Sequence, residues 1–419
     1  MRKDLSRAAR VMGLAACVLL ISVAAFAQTA PSVNVIPGQY IVTLNPQVKD
    51  SVDFAVARGI SPKNAYNHAL KGFAARLTAA QLRLLERDKD VVAIEPDTIV
   101  RANAQTVPTG IKRSYFDLLL NGTTVNADIA IIDTGIQLNH PDLTVVKGVD
   151  CRTLDRKTKD CKIGGADDNG HGTHVAGSAA AIDNGVGVVG TAPGARLHAV
   201  KVLDRNGSGT TSGVIQGIDW VKRNAATIEV ANMSLGGSGS DDRDGQSCST
   251  STNSYHKAIC SAVGAGVTFV VAAGNEKKDA GLSLPAAYDE VITVSALADF
   301  DGLEGRLGTG NFAFSSCTES VDDSFACFSN YGHDVDIMAP GVGIYSTYKG
   351  SSYATMSGTS MASPHVAGAA ARVKAANPGF TPAQVKAALV AAGDPLPCDA
   401  SPSSCSDDPD GVQEPLLQP

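Results

Sequence analysis

The sequence predicts an α/β protein built on a doubly wound, mainly parallel sheet flanked by helices, preceded by a small α+β unit. Three observations carry that prediction. From about residue 127 the chain holds short, almost wholly apolar runs (ADIAIID, LHAVKVL, IEVANMSL, VTFVVAAGN and EVITVSA), which read as strands buried on both faces. Helical patterns lie between several of them, as at Ser212 to Asn224, where Val214, Ile215, Ile218 and Val221 share one face. Strands alternating with helices imply parallel crossovers. Before residue 104 the pattern differs: strands at Gln39 to Leu44, Gly72 to Leu77 and Val91 to Glu95, and a capping box, Thr78-Ala79-Ala80-Gln81, opening a helix to about Arg87.

The ends of the chain have their own character. Arg2, Lys3, Arg7 and Arg10 precede an apolar stretch from Val11 to Ala25, and Ala25-Phe26-Ala27 fits a cleavage site, so residues 1–27 read as a secretory signal. Leu14-Ala15-Ala16-Cys17 also fits a lipoprotein signal, but the apolar run continues well past Cys17. The expected location is therefore extracellular, with periplasmic or lipid-anchored forms as alternatives. No later run is long enough to span a bilayer, so no stable membrane insertion is expected after processing. The tail, residues 396–419, is rich in Pro, Ser and Asp and is expected to lie outside the core.

Cysteine usage agrees with export. Apart from Cys17, cysteines 151/161, 248/260, 317/327 and 398/405 form four sequence-local couples in polar, loop-like stretches. Local pairing into four surface disulfides is the simplest of the possible connectivities, and the absence of a C-x-x-C pair argues against zinc. Residues 104–419 carry 22 Lys+Arg against 34 Asp+Glu. That acidic balance argues against a nucleic acid or an anionic membrane as partner; a monomer is expected.

Three segments carry chemistry. AIIDTG, residues 130–135, delivers Asp133 to the carboxyl end of a strand, where open α/β sheets place their sites. An aspartic peptidase would need a second Asp-Thr/Ser-Gly, and there is none. DDNGHGTHVAG, residues 167–177, sets His171 at a loop-to-helix junction, free to face a cleft. His174 suits a structural role, since zinc peptidase helices use i,i+4 histidines with an intervening glutamate. SGTSMASPHVAG, residues 357–368, opens a helix near Ser360, whose N-terminal amides can stabilise a developing anion. His365 lies five residues on, about 140° round the helix, and so faces largely away from anything Ser360 faces.

Asp, then His, then Ser is one of the chain orders of a catalytic triad. With DTGI, GHGTHVAG and SGTSMASPHVAG in place, residues 127–395 resemble a subtilisin-like serine peptidase. Sedolisins share a similar serine motif but use a glutamate where this chain has the GHGTH histidine. The resemblance implies Ser360 as nucleophile, His171 as base, Asp133 as its orienting carboxylate and Asn275 of VVAAGN as an oxyanion donor beside the Ser360 amide. It implies that substrate pairs with Gly207-Ser208-Gly209 and Ser234-Leu235-Gly236, and that Gly274 and Glu276 border the S1 pocket, with Lys277 and Lys278 able to offset the glutamate's charge. It further implies structural calcium held by the carbonyls of Ile182, Val186 and Val188, the side chains of Asn184, Asp142 and Gln105, and a mature chain beginning at Ala104. Residues 28–103 then resemble the propeptide that templates folding and inhibits the enzyme, leaving 104–395 as the peptidase domain. A non-catalytic binding protein on the same fold is the alternative, and it would require a lost triad or oxyanion residue; all four are present.

Overall fold

A computed structural model describes residues 35–98, 105–241, 248–305, 307–395, 409–410 and 414–419. The signal, the junction at residues 99–104 and the 398/405 cysteine couple lie outside the described residues. The chain divides into two compact units, one ending at Arg101 and the other starting at Ala102.

In the first unit a four-stranded antiparallel sheet has the order β2-β3-β1-β4, with β1 at Val35–Leu44, β2 at Asn64–Tyr66, β3 at Gly72–Arg76 and β4 at Val91–Thr98. Two short helices, α1 (Ser51–Val56) and α2 (Ala79–Leu85), accompany it. Thr78 and Gln81 form both halves of the capping box, satisfying donors that the first turn of α2 leaves free. Val42, Leu44, Phe54, Phe73 and Leu85 make the core of this unit.

The second unit is organised by a nine-stranded sheet. Its strands are β5 (Asp128–Asp133), β6 (Val145–Asp155), β7 (Asp160–Ile163), β8 (Arg196–Lys201), β9 (Val230–Met233), β10 (Thr268–Ala272), β11 (Ile292–Ala298), β12 (Ser324–Phe325) and β13 (Ile337–Pro340). The order is β12-β11-β10-β9-β5-β8-β6-β7, with β13 also pairing β11. All pairings are parallel except β6–β7 and β11–β12. From β5 the chain winds to β8 and β6 on one side and to β9, β10 and β11 on the other, so β5 sits where the strand order reverses. A crevice opens at such a point beyond the carboxyl ends of the strands.

Each face of the sheet has its own apolar core, which is why the strands read as unbroken apolar runs. On one face lie α3 (His171–Ala180), α6 (Thr359–Ala376) and α7 (Pro382–Ala392); on the other lie α4 (Thr211–Arg223) and α5 (Ser254–Val263). A hairpin of β14 (Ile344–Tyr348) and β15 (Ser352–Met356) packs against α3. Among the described residues no helix is long and apolar enough to cross a membrane.

Two expectations need correction. Three of the expected disulfides form, Cys151–Cys161, Cys248–Cys260 and Cys317–Cys327, but they are not all loop staples. Cys151 and Cys161 lie on the paired strands β6 and β7 and are buried, and Cys260 lies within α5. The polar residues around 151–163 are the outward half of an edge hairpin, which is why the segment reads as loop. Nor does the whole tail lie outside the core. Leu416 and Leu417 are fully buried, and the backbone around them bonds Met338 of β13 and Asp394. Two leucines seat the last described residues of a tail that by composition belongs to solvent.

Leu416 packs in a cluster with Leu297, Phe325 and Met338. Leu416→Ala is expected to cost about 2–4 kcal/mol, seen in calorimetry as a lower Tm; an unchanged Tm would show that this packing carries no stability.

Candidate active site

Asp133 ends β5 with its side chain fully buried, and Thr134 N donates to its Oδ1 at 2.6 Å. A carboxylate is tolerated there only with donors around it. The main one is His171 Nδ1, 2.8 Å from Oδ1 and 3.0 Å from Oδ2. His171 is the first residue of α3 and is half-buried, with its ring edge in the cleft. The next residue has to be glycine: a Cβ on Gly172 would stand 2.1 Å from the Gly135 carbonyl and 3.1 Å from Asp133 Oδ1. The GHGTH motif is therefore a packing requirement as much as a chemical one.

Asp167 holds this junction together. Its Oδ1 accepts from Asn169 N, Gly170 N and Thr134 Oγ1, each at 2.9 Å, and its Oδ2 accepts from Thr173 N and Thr173 Oγ1 at 3.0 and 2.6 Å. Thr134 Oγ1 in turn accepts from Gly172 N at 2.9 Å, tying the Asp133 turn to the start of α3. Burial alone would lower the His171 pKa; the adjacent Asp133 charge and hydrogen bond, with Asp167 beyond, outweigh it and hold the pKa above the ordinary histidine value. Lys201, opposite Asp133 on β8, is also buried and donates to the Thr134 carbonyl and, at 2.7 Å, to Asp168.

Ser360 is the second residue of α6; Thr359 N is bonded to Asn275 Oδ1, and Met361 N and Ala362 N to the Gly358 carbonyl, so the Ser360 amide is the first-turn donor that no described hydrogen bond takes. The Ser360 hydroxyl donates to the Ser234 carbonyl at 3.3 Å, and among the described contacts it does not reach His171. Such a contact commonly closes only when substrate is bound. Beneath it runs a buried chain of hydrogen bonds: Ser363 Oγ to Asn232 Oδ1 at 2.8 Å, Asn232 Nδ2 to Ser234 Oγ at 3.0 Å, and Ser234 Oγ to the Ser360 carbonyl at 2.8 Å. Neither Asn232 nor Ser363 stands out in the sequence, where one looks like a strand residue and the other like helix packing.

Asn275 follows β10. Its Oδ1 accepts from Thr359 N at 2.8 Å and Thr359 Oγ1 at 3.1 Å, which settles the amide's orientation and leaves Nδ2 as its free face. Thr359 Oγ1 also accepts from Gly274 N at 3.1 Å. The two histidines read as structural are both buried. His174 Nε2 lies 3.0 and 3.1 Å from the carbonyls of Ile344 and Ala354, and His365 Nδ1 lies 2.9 Å from the Met361 carbonyl. Burial pushes the pKa of each down to about 4.

Two adjoining hollows flank these groups. One of about 730 Å³ is lined by His171, Gly207, Ser208, Gly209, Ser234, Leu235 and Gly236 among others, so both expected substrate segments border the same hollow. The other, about 290 Å³, is lined by Gly274, Asn275, Glu276, Lys278 and Ser360 among others. Glu276 Oε2 accepts from Asn330 Nδ2 at 3.0 Å. Lys278 lines this pocket, but Lys277 does not; it lines a different hollow with Glu319. Of the two lysines named as able to offset Glu276, only one is therefore placed to do so.

The residues named for calcium also converge. The Gln105 amide nitrogen is 2.6 Å from the Ile182 carbonyl and 3.0 Å from that of Val188. Asp142 is buried, accepts from Val188 N at 2.9 Å and from Asn184 Nδ2 at 3.3 Å, and burial lifts its carboxyl to about 6. Asn184 Oδ1 meanwhile accepts from Val186 N at 2.8 Å, closing the loop on itself.

Comparison with known proteins agrees with this geometry. Residues 125–405 match the model of the subtilase family and residues 39–103 that of peptidase inhibitor I9. A thermostable alkaline protease of Halalkalibacterium halodurans is 40% identical over 314 residues, 74% of each chain. Subtilisin E of Bacillus subtilis is 37% identical over 318 residues, 75% of this chain and 73% of that protein. Among solved structures, a cold-adapted subtilisin-like serine proteinase has a TM-score of 0.53 at 36% identity, covering 71% of this chain and 91% of its own. The S41 psychrophilic protease has a TM-score of 0.60 at 33% identity, covering 76% and 99%. The chain is thus a subtilisin-like serine endopeptidase with an inhibitor-type propeptide segment, and it belongs to the subtilase family.

Proposed function

We propose that this endopeptidase is made as a secreted zymogen and cuts peptide bonds with Asp133, His171 and Ser360, using Asn275 as oxyanion donor. The observation that carries the reading is the buried Asp133 carboxylate on His171 Nδ1, which fixes the tautomer with Nε2 as the basic nitrogen facing the cleft. Ser360 Oγ, turned from Ser234 toward His171, adds to the scissile carbonyl carbon while its proton passes to Nε2. Asn275 Nδ2 and the Ser360 amide receive the oxyanion. Collapse of the tetrahedral species breaks the C–N bond as His171 returns the proton to the leaving amine. Water then repeats the sequence on the acyl-enzyme and frees Ser360.

Substrate lies extended between Gly207-Ser208-Gly209 and Ser234-Leu235-Gly236, its backbone pairing with those edges. The pocket bordered by Gly274 and Glu276 takes the residue before the scissile bond. Its small lining residues and the single opposed lysine, Lys278, favour a broad preference that admits basic side chains. The N-terminal segment, residues 1–27, directs export, and 28–103 serve as the inhibitory propeptide, released between Asn103 and Ala104; residues 104–395 are the peptidase and 396–419 its acidic tail. The acidic mature chain acts alone on protein substrates.

The Gln105, Asp142 and 182–188 groups fit structural Ca²⁺. They bring the Ile182 and Val188 carbonyls and the buried Asp142 carboxylate into one group; the Gln105 and Asn184 amides face these oxygens with nitrogen and would turn over to ligate, and Asp142 meets no cationic side chain among its described hydrogen bonds. Bound there, calcium would tie the first residues of the peptidase unit to the loop after α3, held by Gln105, Asp142, Asn184 and the carbonyls of Ile182, Val186 and Val188.

Ser360→Ala is expected to abolish caseinolysis and labelling by a serine-directed inhibitor; surviving activity would point to another nucleophile. Asn275→Ala should lower kcat by about 10²–10³-fold with little change in KM, a magnitude known for this donor in subtilisin rather than obtained from the distances above. Because catalysis needs neutral His171 and its pKa is raised, kcat/KM should climb with pH through a midpoint above the ordinary histidine value of about 6.5. A midpoint at or below that value would refute the stated balance between burial and Asp133. Chelation, or Asp142→Asn, should lower Tm without calcium-dependent recovery in the variant; equal Tm values with and without chelator would remove the site.

A further inference from the structure

We propose that Asp299, Asp301 and Asp322 form a second calcium site, separate from the Gln105–Asp142 group, that pins the long segment between β11 and β13. One carboxylate oxygen from each of the three lies within 4.8 Å of the other two. Calcium binds oxygen at about 2.3–2.6 Å, so oxygens sharing one ion stand no more than about 5 Å apart, and the cluster meets that limit without rearrangement.

The second observation is a buried oxygen without a donor. Asp299 follows the last residue of β11 and is 2% exposed. Its Oδ1 accepts from Gly302 N at 2.5 Å, but no hydrogen bond reaches Oδ2. Arg113 Nε stands 3.4 Å from that oxygen, yet its one hydrogen is directed to Asp323 Oδ1 at 2.7 Å. A buried carboxylate oxygen left this way is costly, and a cation among the three carboxylates removes the cost.

The charge count points the same way. Among the described residues Asp299, Asp301, Glu304, Asp322 and Asp323 gather in one neighbourhood, with Arg113 and Lys112 as the cations beside them, the Lys112 stem packing under Gly302. Backbone amides already occupy part of the carboxylates: Leu303 N on Asp301, and Phe300 N and Gly308 N on Asp322, at 2.8, 2.7 and 2.6 Å. They hold the oxygens in place without neutralising them. Carboxylate oxygens select a hard cation, and three protein carboxylates suit calcium better than magnesium, which keeps most of its waters. The other cluster of candidate ligands, at Cys248, His256, Cys260 and Glu290, is disqualified because its sulfurs form a disulfide.

The full chain carrying Ser360→Ala, which removes self-cleavage, is stripped of metal and titrated with calcium chloride by calorimetry. Adding Asp301→Asn, at a half-buried position, should remove one bound equivalent and leave any calcium linked to Asp142 in place. Adding Asp142→Asn instead should leave the Asp301-dependent equivalent intact, so failure of one site is told apart from failure of the other. Unchanged stoichiometry in the Asp301 variant would overturn the proposal. In the Ser360→Ala parent, calcium should slow trypsin cleavage after Arg306 at least tenfold relative to chelator; equal rates would overturn it independently, whatever the folding of the variant.

Discussion

The close approach of α3 to the end of β5 is the constraint on which the candidate site depends. Asp133 is buried at the end of a central strand, and only a helix start without a Cβ at position 172 can come near enough to bring a histidine onto its carboxylate. Asp167 gathers the amides of that helix start and the Thr134 hydroxyl, so one carboxylate orients the imidazole while another orients the backbone that carries it. A shift at this junction would alter the chemistry and the packing together. That coupling gives a physical reason for the density of glycine, threonine and aspartate in a stretch otherwise surrounded by apolar residues.

The sheet supplies the rest by being parallel and buried on both faces. Parallel strands end together, so β5 and β10 bring Asp133 and the Asn275 loop to the same edge. The two α-helices whose N-termini matter, α3 and α6, lie on one face of the sheet. Ser360 is steadied from below by Asn232 on β9 through Ser234 and Ser363. The candidate nucleophile is therefore anchored to a strand between β5 and β10, and its helix terminus cannot drift independently of the other groups.

Acidic residues recur where the fold must hold irregular backbone. Asp142 sits under the loop after α3, Asp167 under the start of that helix, and Asp299, Asp322 and Asp323 under the segment following β11. Asp167 and the group after β11 accept from several backbone amides that no strand or helix satisfies, and Asp142 accepts from one, Val188 N. The acidic balance of the chain thus has a structural use beyond solubility. It also leaves a buried carboxylate at Asp142 and a group of carboxylates at Asp299, Asp301 and Asp322 whose described hydrogen bonds come from neutral donors, with Arg113 close to the second.

The sequence by itself determined the fold class, the order of the reactive residues and the exclusion of His365, because each follows from local patterning: apolar runs, glycine next to histidine, and the angular spacing of a helix. Local cysteine pairing was only the simplest of the connectivities it allowed; the tertiary structure decided that three couples close, and that Cys151 and Cys161 lie on buried strands, since an edge hairpin with one polar face reads as a loop. Only the tertiary structure decided that Asn232 and Ser363 support Ser360, that Lys277 turns away from the pocket Lys278 enters, and that Leu416 fills a gap beside β13. Each of these depends on contacts between residues far apart in the chain. Side-chain direction and burial are set by those contacts and not by the neighbours in sequence.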